Sequence, residues 1–93
     1  MERRGMVAIG FGSFIPAERI VAVVNPDGQP MRRLRQESRE SNRLVDATQG
    51  KRTRSIIITD SNQVFLSNVT TETLAHRYNQ SGLVLTADQG DGR

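Results

Sequence analysis

A small α+β domain, an antiparallel β-sheet carrying two short helices, is what the sequence predicts, and three observations carry that expectation. Two β-branched runs, Ile20-Val21-Ala22-Val23-Val24 and Ile56-Ile57-Ile58, have the composition of buried strands. Gly10-Phe11-Gly12, Asn25-Pro26-Asp27-Gly28 and Asp60-Ser61-Asn62 punctuate the chain as turns. Pro30 and the Thr70-Thr71-Glu72 segment are helix-start signals, because proline suits the first helical turn and a threonine oxygen accepts orphan N–H groups there.

Taken in order, Met6 to Ile9 reads as a short buried strand that bends at Gly10-Phe11-Gly12-Ser13. Phe14 and Ile15 lead through Pro16 into a strand from Arg19 to Val24. A helix from Pro30 toward Asn42 follows. Viewed down its axis, Arg32, Arg35, Arg39 and Arg43 form one basic stripe, beside a narrower stripe of Met31, Leu34, Ser38 and Val45. Glu37 and Glu40 lie on another side, at helical spacing for pairing with Arg33. Leu44 to Ala47 forms a further short strand. Arg52 to Thr59 and Gln63 to Ser67 make a hairpin, and a last helix runs through Leu74 to about Tyr78. Residues 1–80 thus form one domain, and residues 81–93 a polar, disordered tail. The strands at Val21 to Val24 and Ile56 to Ile58 are apolar on both faces, and two short helices offer little cover, which predicts contact with a second subunit.

The chain has 93 residues and no cysteine, which leaves packing alone to stabilise it and fits a reducing compartment. Met6 to Ile9 is too short for the core of a signal peptide, and no run is long enough to span a bilayer, so a cytoplasmic location is expected. The formal net charge is only +3. Its composition and placement say more. Lys51 is the single lysine among thirteen basic residues, and arginine's planar fork suits phosphate and base edges. Between Arg32 and Arg54 eight basic residues face three acids, whereas the rest of the chain is net acidic.

Lys51-Arg52-Thr53-Arg54, directly after Gly50, is the sharpest cluster: a glycine turn brings the backbone close to an outside partner, and three cations follow it. Arg32, on the helical stripe, is a second candidate contact. Arg19 stands at a strand entrance beside Glu18, its nearest acid in sequence. Gly10-Phe11-Gly12 lacks the third glycine and following helix of a dinucleotide loop and is read as a bend. His76 has no second histidine or cysteine with which to share a metal, and no nucleophile, base and oxyanion donor stand together. No enzyme, cofactor or metal is expected.

Ile9-Gly10-Phe11-Gly12, Ala17-Glu18-Arg19-Ile20, Pro30-Met31-Arg32-Arg33-Leu34, Asp46 to Arg54 and Glu72-Thr73-Leu74-Ala75-His76-Arg77 resemble, in order and spacing, the bacterial extracellular matrix regulatory protein RemA family. The resemblance covers about residues 6–78, with Asp46 to Arg54 its most specific part. It implies a DNA-binding activator of biofilm-matrix operons that assembles into a ring-shaped homo-oligomer and contacts duplex DNA around its basic outside. It further implies that Arg19, Lys51 and Arg52 are DNA contacts, with lysine at 51 where the family usually has arginine, and that Pro30 matches a position important for activity. The basic charge also fits an RNA-binding module or a structural ring that binds an acidic protein. Single-strand recognition uses exposed aromatics, and Phe11, Phe14 and Phe65 are expected in the core, which favours duplex DNA.

Overall fold

The computed structural model describes residues 5–86. Strands β1 (Met6–Gly10) and β2 (Ser13–Pro16) form a two-stranded hairpin, and a single 3-10 turn, Ala17–Arg19, leads into β3 (Ile20–Val24). Helix α1 (Gln29–Glu40) and β4 (Leu44–Asp46) follow, then β5 (Ser55–Thr59), β6 (Val64–Ser67) and helix α2 (Thr71–Thr86). The second sheet has four strands in the order β3-β5-β6-β4.

This α+β architecture with two helices agrees with the sequence expectation, with one correction to the sheet. β4 pairs with β6 in parallel, Leu44 opposite Val64 and Asp46 opposite Leu66, so the sheet is mixed rather than antiparallel. The cause lies in the connection: the chain leaves β4, crosses the end of β6 and returns as β5 on its far side, so the β5–β6 hairpin places β6 beside β4 in the same direction. Helix α2 also runs past Tyr78 to Thr86, since a glycine inside a helix weakens it by only about 1 kcal/mol. Of the expected tail, residues 81–86 are therefore helical, and residues 87–93 lie outside the described residues.

Both faces of the second sheet are covered by this chain. Ile56, Val64 and Leu66 pack under α1 with Met31 and Leu34, while Ile57 joins Val7, Ile9, Ile15 and Leu74 beneath the β1–β2 hairpin and α2. The isoleucine run is thus apolar on both faces because two different layers cover it, and the hairpin supplies the cover that the helices alone do not. The argument from Ile56 to Ile58 for a second subunit is corrected accordingly. Val21 is different: it is the extra residue of a bulge, since Ile20 pairs with Thr59 and Ala22 with Ile58, and it is 65% exposed on the sheet's edge.

Local polar contacts close the element ends. Thr70 caps α2, its hydroxyl oxygen accepting the Thr73 N–H at 3.2 Å. Asn42, with φ of 59°, ends α1 in a left-handed cap whose next residue, Arg43, donates its N–H to the Ser38 carbonyl at 2.8 Å. The buried Ser38 hydroxyl donates to the Leu34 carbonyl at 2.6 Å and so crosses the apolar face without an unmet donor.

The hairpin meets the second sheet at Gly10. An ideal Cβ there would sit 2.8 Å from the Ala47 carbonyl oxygen, a backbone atom that cannot swing away. Gly10→Ala is expected to lower stability by about 1–3 kcal/mol, read as a lower urea midpoint with the slope unchanged. An unchanged midpoint would show that the two backbones are free to part.

Candidate functional site

The segment between β4 and β5 carries three cations in four residues, Lys51 to Arg54, and is closed by backbone bonds at both ends. Ala47 donates its N–H to the Leu66 carbonyl at 2.9 Å, and Arg54 donates its own to the Ser67 carbonyl at 2.7 Å. The loop therefore leaves and re-enters the sheet on consecutive residues of β6. Inside it, Lys51 donates to the Thr48 carbonyl at 3.1 Å across Gln49 and Gly50, whose φ values of 56° and 81° are both left-handed, as a type I′ turn requires.

The turn is set by Asp46. Its Oδ1 accepts the Thr48 hydroxyl at 2.6 Å and the Thr48 N–H at 2.9 Å. These bonds, the hydroxyl's first, hold the Asp46 carboxyl below its ordinary pKa; burial opposes them slightly, and the guanidinium charges of Arg35 and Arg39 add to them. Thr48 is buried and Lys51, Arg52 and Arg54 are exposed, so the fixed side of the loop faces the protein and the cationic side faces out.

Of the residues expected to form the site, Arg52 and Arg54 come together. They line a shallow cleft of about 180 Å³ with Pro26, Asp27, Thr53 and Arg35. Arg35 is the helix arginine that sequence reasoning passed over in favour of Arg32. Arg32 lies on neighbouring ground, lining one hollow with Arg35, Gln36 and Arg39 and another with Gln29, Arg33 and Glu37. The helical spacing of Arg32, Arg35 and Arg39 held the signal; which of them turns toward the loop depended on the position of α1. Lys51 sits at the turn just before Arg52.

Arg19 is not part of this cluster. It precedes β3 at the opposite end of β5, its carbonyl accepting the Asp60 N–H at 2.9 Å and its guanidinium reaching the Asp60 carboxylate at 3.2 Å. Six residues of extended chain separate this point from Arg54, about 20 Å. Its acidic partner is therefore Asp60 rather than the adjacent Glu18. Among the described residues this is the one ion pair within 4.0 Å, so the expected pairing of Glu37 and Glu40 with Arg33 is not formed and the α1 arginines and loop cations have no carboxylate within that distance.

Two of the three phenylalanines are also not where residue type suggested. Phe11 is 85% exposed and Phe14 is 57% exposed; Phe65 alone packs against the core. Phe11 occupies a two-residue loop with no wall beside it, and Phe14 lies on the outer face of β2, opposite Ala8. Neither environment is visible in the residue type. Among the described residues no helix is long and apolar enough to cross a membrane, and no three His, Cys, Asp or Glu side chains converge as metal ligands.

The comparison with known proteins follows the same span. A family model described as extracellular matrix regulatory protein A-like, RemA-like, matches residues 6–78. A protein of Maridesulfovibrio salexigens is 54% identical over 78 residues, covering 84% of this chain and 91% of its own. One from Nitratidesulfovibrio vulgaris is 59% identical over 75 residues, 81% of this chain and 85% of the relative. One from Pseudothermotoga lettingae is 47% identical over 77 residues, 83% and 85% of the two chains. All three are named as regulatory proteins.

Because its folded-state pKa is depressed, Asp46 contributes stability that is complete above the ordinary carboxylate range and is lost as pH falls through the folded value. Asp46→Ala is expected to be less stable than the parent at neutral pH, with the gap narrowing on acidification. Thermal midpoints taken across acid pH check this; a gap that stays constant would mean that the Asp46 charge plays no part in fixing the turn.

Proposed function

Since the chain belongs to the RemA-like family of regulatory proteins, we propose that it is a DNA-binding transcriptional regulator, a homo-oligomeric ring whose basic rim holds duplex DNA. The observation that carries this reading is the convergence of Arg35, Arg52 and Arg54 on one cleft, outnumbering its single acid, Asp27, with none of the three in an ion pair within 4.0 Å among the described residues. Cations without a bonded acid are open to an outside anion as counter-charge. Phosphates on a duplex are that anion, and Arg32 and Arg39 extend the surface along α1.

One subunit offers a modest charge, and Arg19 stands at its far end. Repetition around a ring resolves both points: a duplex following the rim meets the same patch on subunit after subunit, and linked contacts bind far more tightly than separate ones. Bending costs about 1–6 kcal/mol over 20–30 base pairs, so flexible A/T-rich sites are favoured with few base contacts. The apolar surface for assembly lies beside α2, where the exposed Val21 joins Ile20, Val23, Ala75 and Tyr78. Control of extracellular-matrix genes is the biological role this family membership suggests, in the cytoplasm and without catalysis.

The exposure of Phe11 and Phe14 gives an RNA-binding reading more weight than the sequence did, because stacking platforms are made of such residues. Competition between duplex DNA and single-stranded RNA in one gel-shift separates the two. Failure to retain long duplexes at physiological salt would leave an acidic protein as the partner.

Arg52→Ala is expected to weaken duplex binding by about tenfold while leaving the assembly mass unchanged, and parental affinity should fall linearly with log salt concentration. Equal affinity in parent and variant would remove the loop from the interface. Val21→Asp is expected to lower the mass measured by light scattering; an unaltered mass would place the subunit contact elsewhere.

A further inference from the structure

Phe11 is the most exposed large apolar residue described, and the fold holds it out with care. Its hairpin is anchored by Val7, Ile9 and Ile15 in the core. On one side Gly10 is pressed against the Ala47 carbonyl, and on the other Gly12 takes a φ of 76° that closes a two-residue loop. The Phe11 carbonyl accepts the Gln49 side-chain amide at 3.1 Å. Gln49 is the first central residue of the turn that delivers Gly50, Lys51 and Arg52, so the aromatic tip and the cationic loop are tied together as one rigid edge.

Three other exposed apolar residues are placed differently, and Val45, the least exposed, is on the edge strand β4. Met6 and Phe14 line a hollow with Arg77 and Gln80, and Val21 lies beside Ala75 and Tyr78, all against α2. Phe11 instead is tied, through its carbonyl and Gln49, to the loop that carries Lys51 and Arg52. An exposed apolar ring on a loop bonded to a cationic loop matches a duplex, whose anionic backbone flanks a groove floored by stacked bases. A platform for single strands stacks successive bases on several aromatics; here Phe14 lines the hollow against α2, and Phe11 is on the hairpin loop apart from it.

We propose that Phe11 is an apolar wedge that enters a groove of the bound duplex and presses on a flexible base step, while Lys51 and Arg52 hold the flanking phosphates. The inference rests on the duplex-binding reading above and deepens it. It assigns shape selectivity to a residue that carries no charge: the wedge favours steps that unstack easily, pyrimidine–purine steps above all. Because Phe11 makes so little contact with its own chain, its removal leaves the fold intact.

The test uses the full chain with an end-labelled A/T-rich duplex of about 30 base pairs and a poly(dT) strand of equal length. Phe11→Ala is expected to bind the duplex about tenfold more weakly, with the parental salt slope and assembly mass, whereas Arg52→Ala lowers the slope. The chain has no tryptophan, so Phe11→Trp gives a single emission signal, expected to be quenched by the duplex and little changed by poly(dT). Unchanged affinity in Phe11→Ala, beside a parent that binds, overturns the wedge alone. A fall in assembly mass in that variant, or stronger quenching by poly(dT), also overturns it, in favour of a subunit contact or a single-strand contact. A parent that retains no duplex at low salt overturns the regulator reading, and the wedge with it.

Discussion

The close approach of the β1–β2 hairpin to the turn after β4 is the constraint on which the rest of the structure depends. A two-stranded hairpin is at best marginal alone, and this one is held because Gly10 lets its backbone meet the Ala47 carbonyl. The buried Ser67 hydroxyl reaches the Ile9 carbonyl across the same junction, and Arg77 on α2 donates to the Ala8 carbonyl at 2.6 Å. Polar groups at the seam are thereby paired, and Val7, Ile9 and Ile15 close over Ile57 and Leu74. Moving this seam would uncover one face of β5 and displace the loop that carries the cations.

The electrostatic surface follows from that frame. Asp46 directs both its hydrogen bonds to Thr48, inside the loop, and so fixes the turn, while among the described residues the guanidinium groups around it have no bonded carboxylate. An acid placed two residues later would have neutralised the surface it now shapes. Arg19 shows the opposite arrangement: bonded to Asp60 through both backbone and side chain, it ties the start of β3 to the turn after β5. A cation in such a pair has part of its charge already answered, unlike the loop cations, which have no carboxylate within 4.0 Å among the described residues.

Much of the fold was legible in the sequence because its signals are local. The β-branched runs, the glycine and Asp-Ser-Asn turns, the proline near the start of α1 and the threonine cap of α2 each act over a few residues and fall where they were read. What was not legible is set by distance. Nothing in Leu44-Val45-Asp46 says that its partner is β6 rather than β5, and nothing in Arg19 names Asp60 over Glu18. The isoleucine run shows that two faces are buried but not by what, and hydrophobicity sends Phe11 inward although the loop it sits on has no interior. Periodicity likewise found the arginine stripe of α1 but not that Arg35 lines the cleft with Arg52 and Arg54 while Arg32 lines the neighbouring hollows, which depends on how the helix rolls onto Met31 and Leu34.

The cationic loop begins and ends on neighbouring residues of β6, Leu66 and Ser67. Its length is therefore uncoupled from strand register: residues gained or lost between those two anchor points change how far the tip extends but leave the alignment of β4, β5 and β6 untouched. Closure entropy grows only slowly with added residues, so lineages sharing this scaffold are free to retune reach and chemistry at one rim while inheriting the interior unaltered.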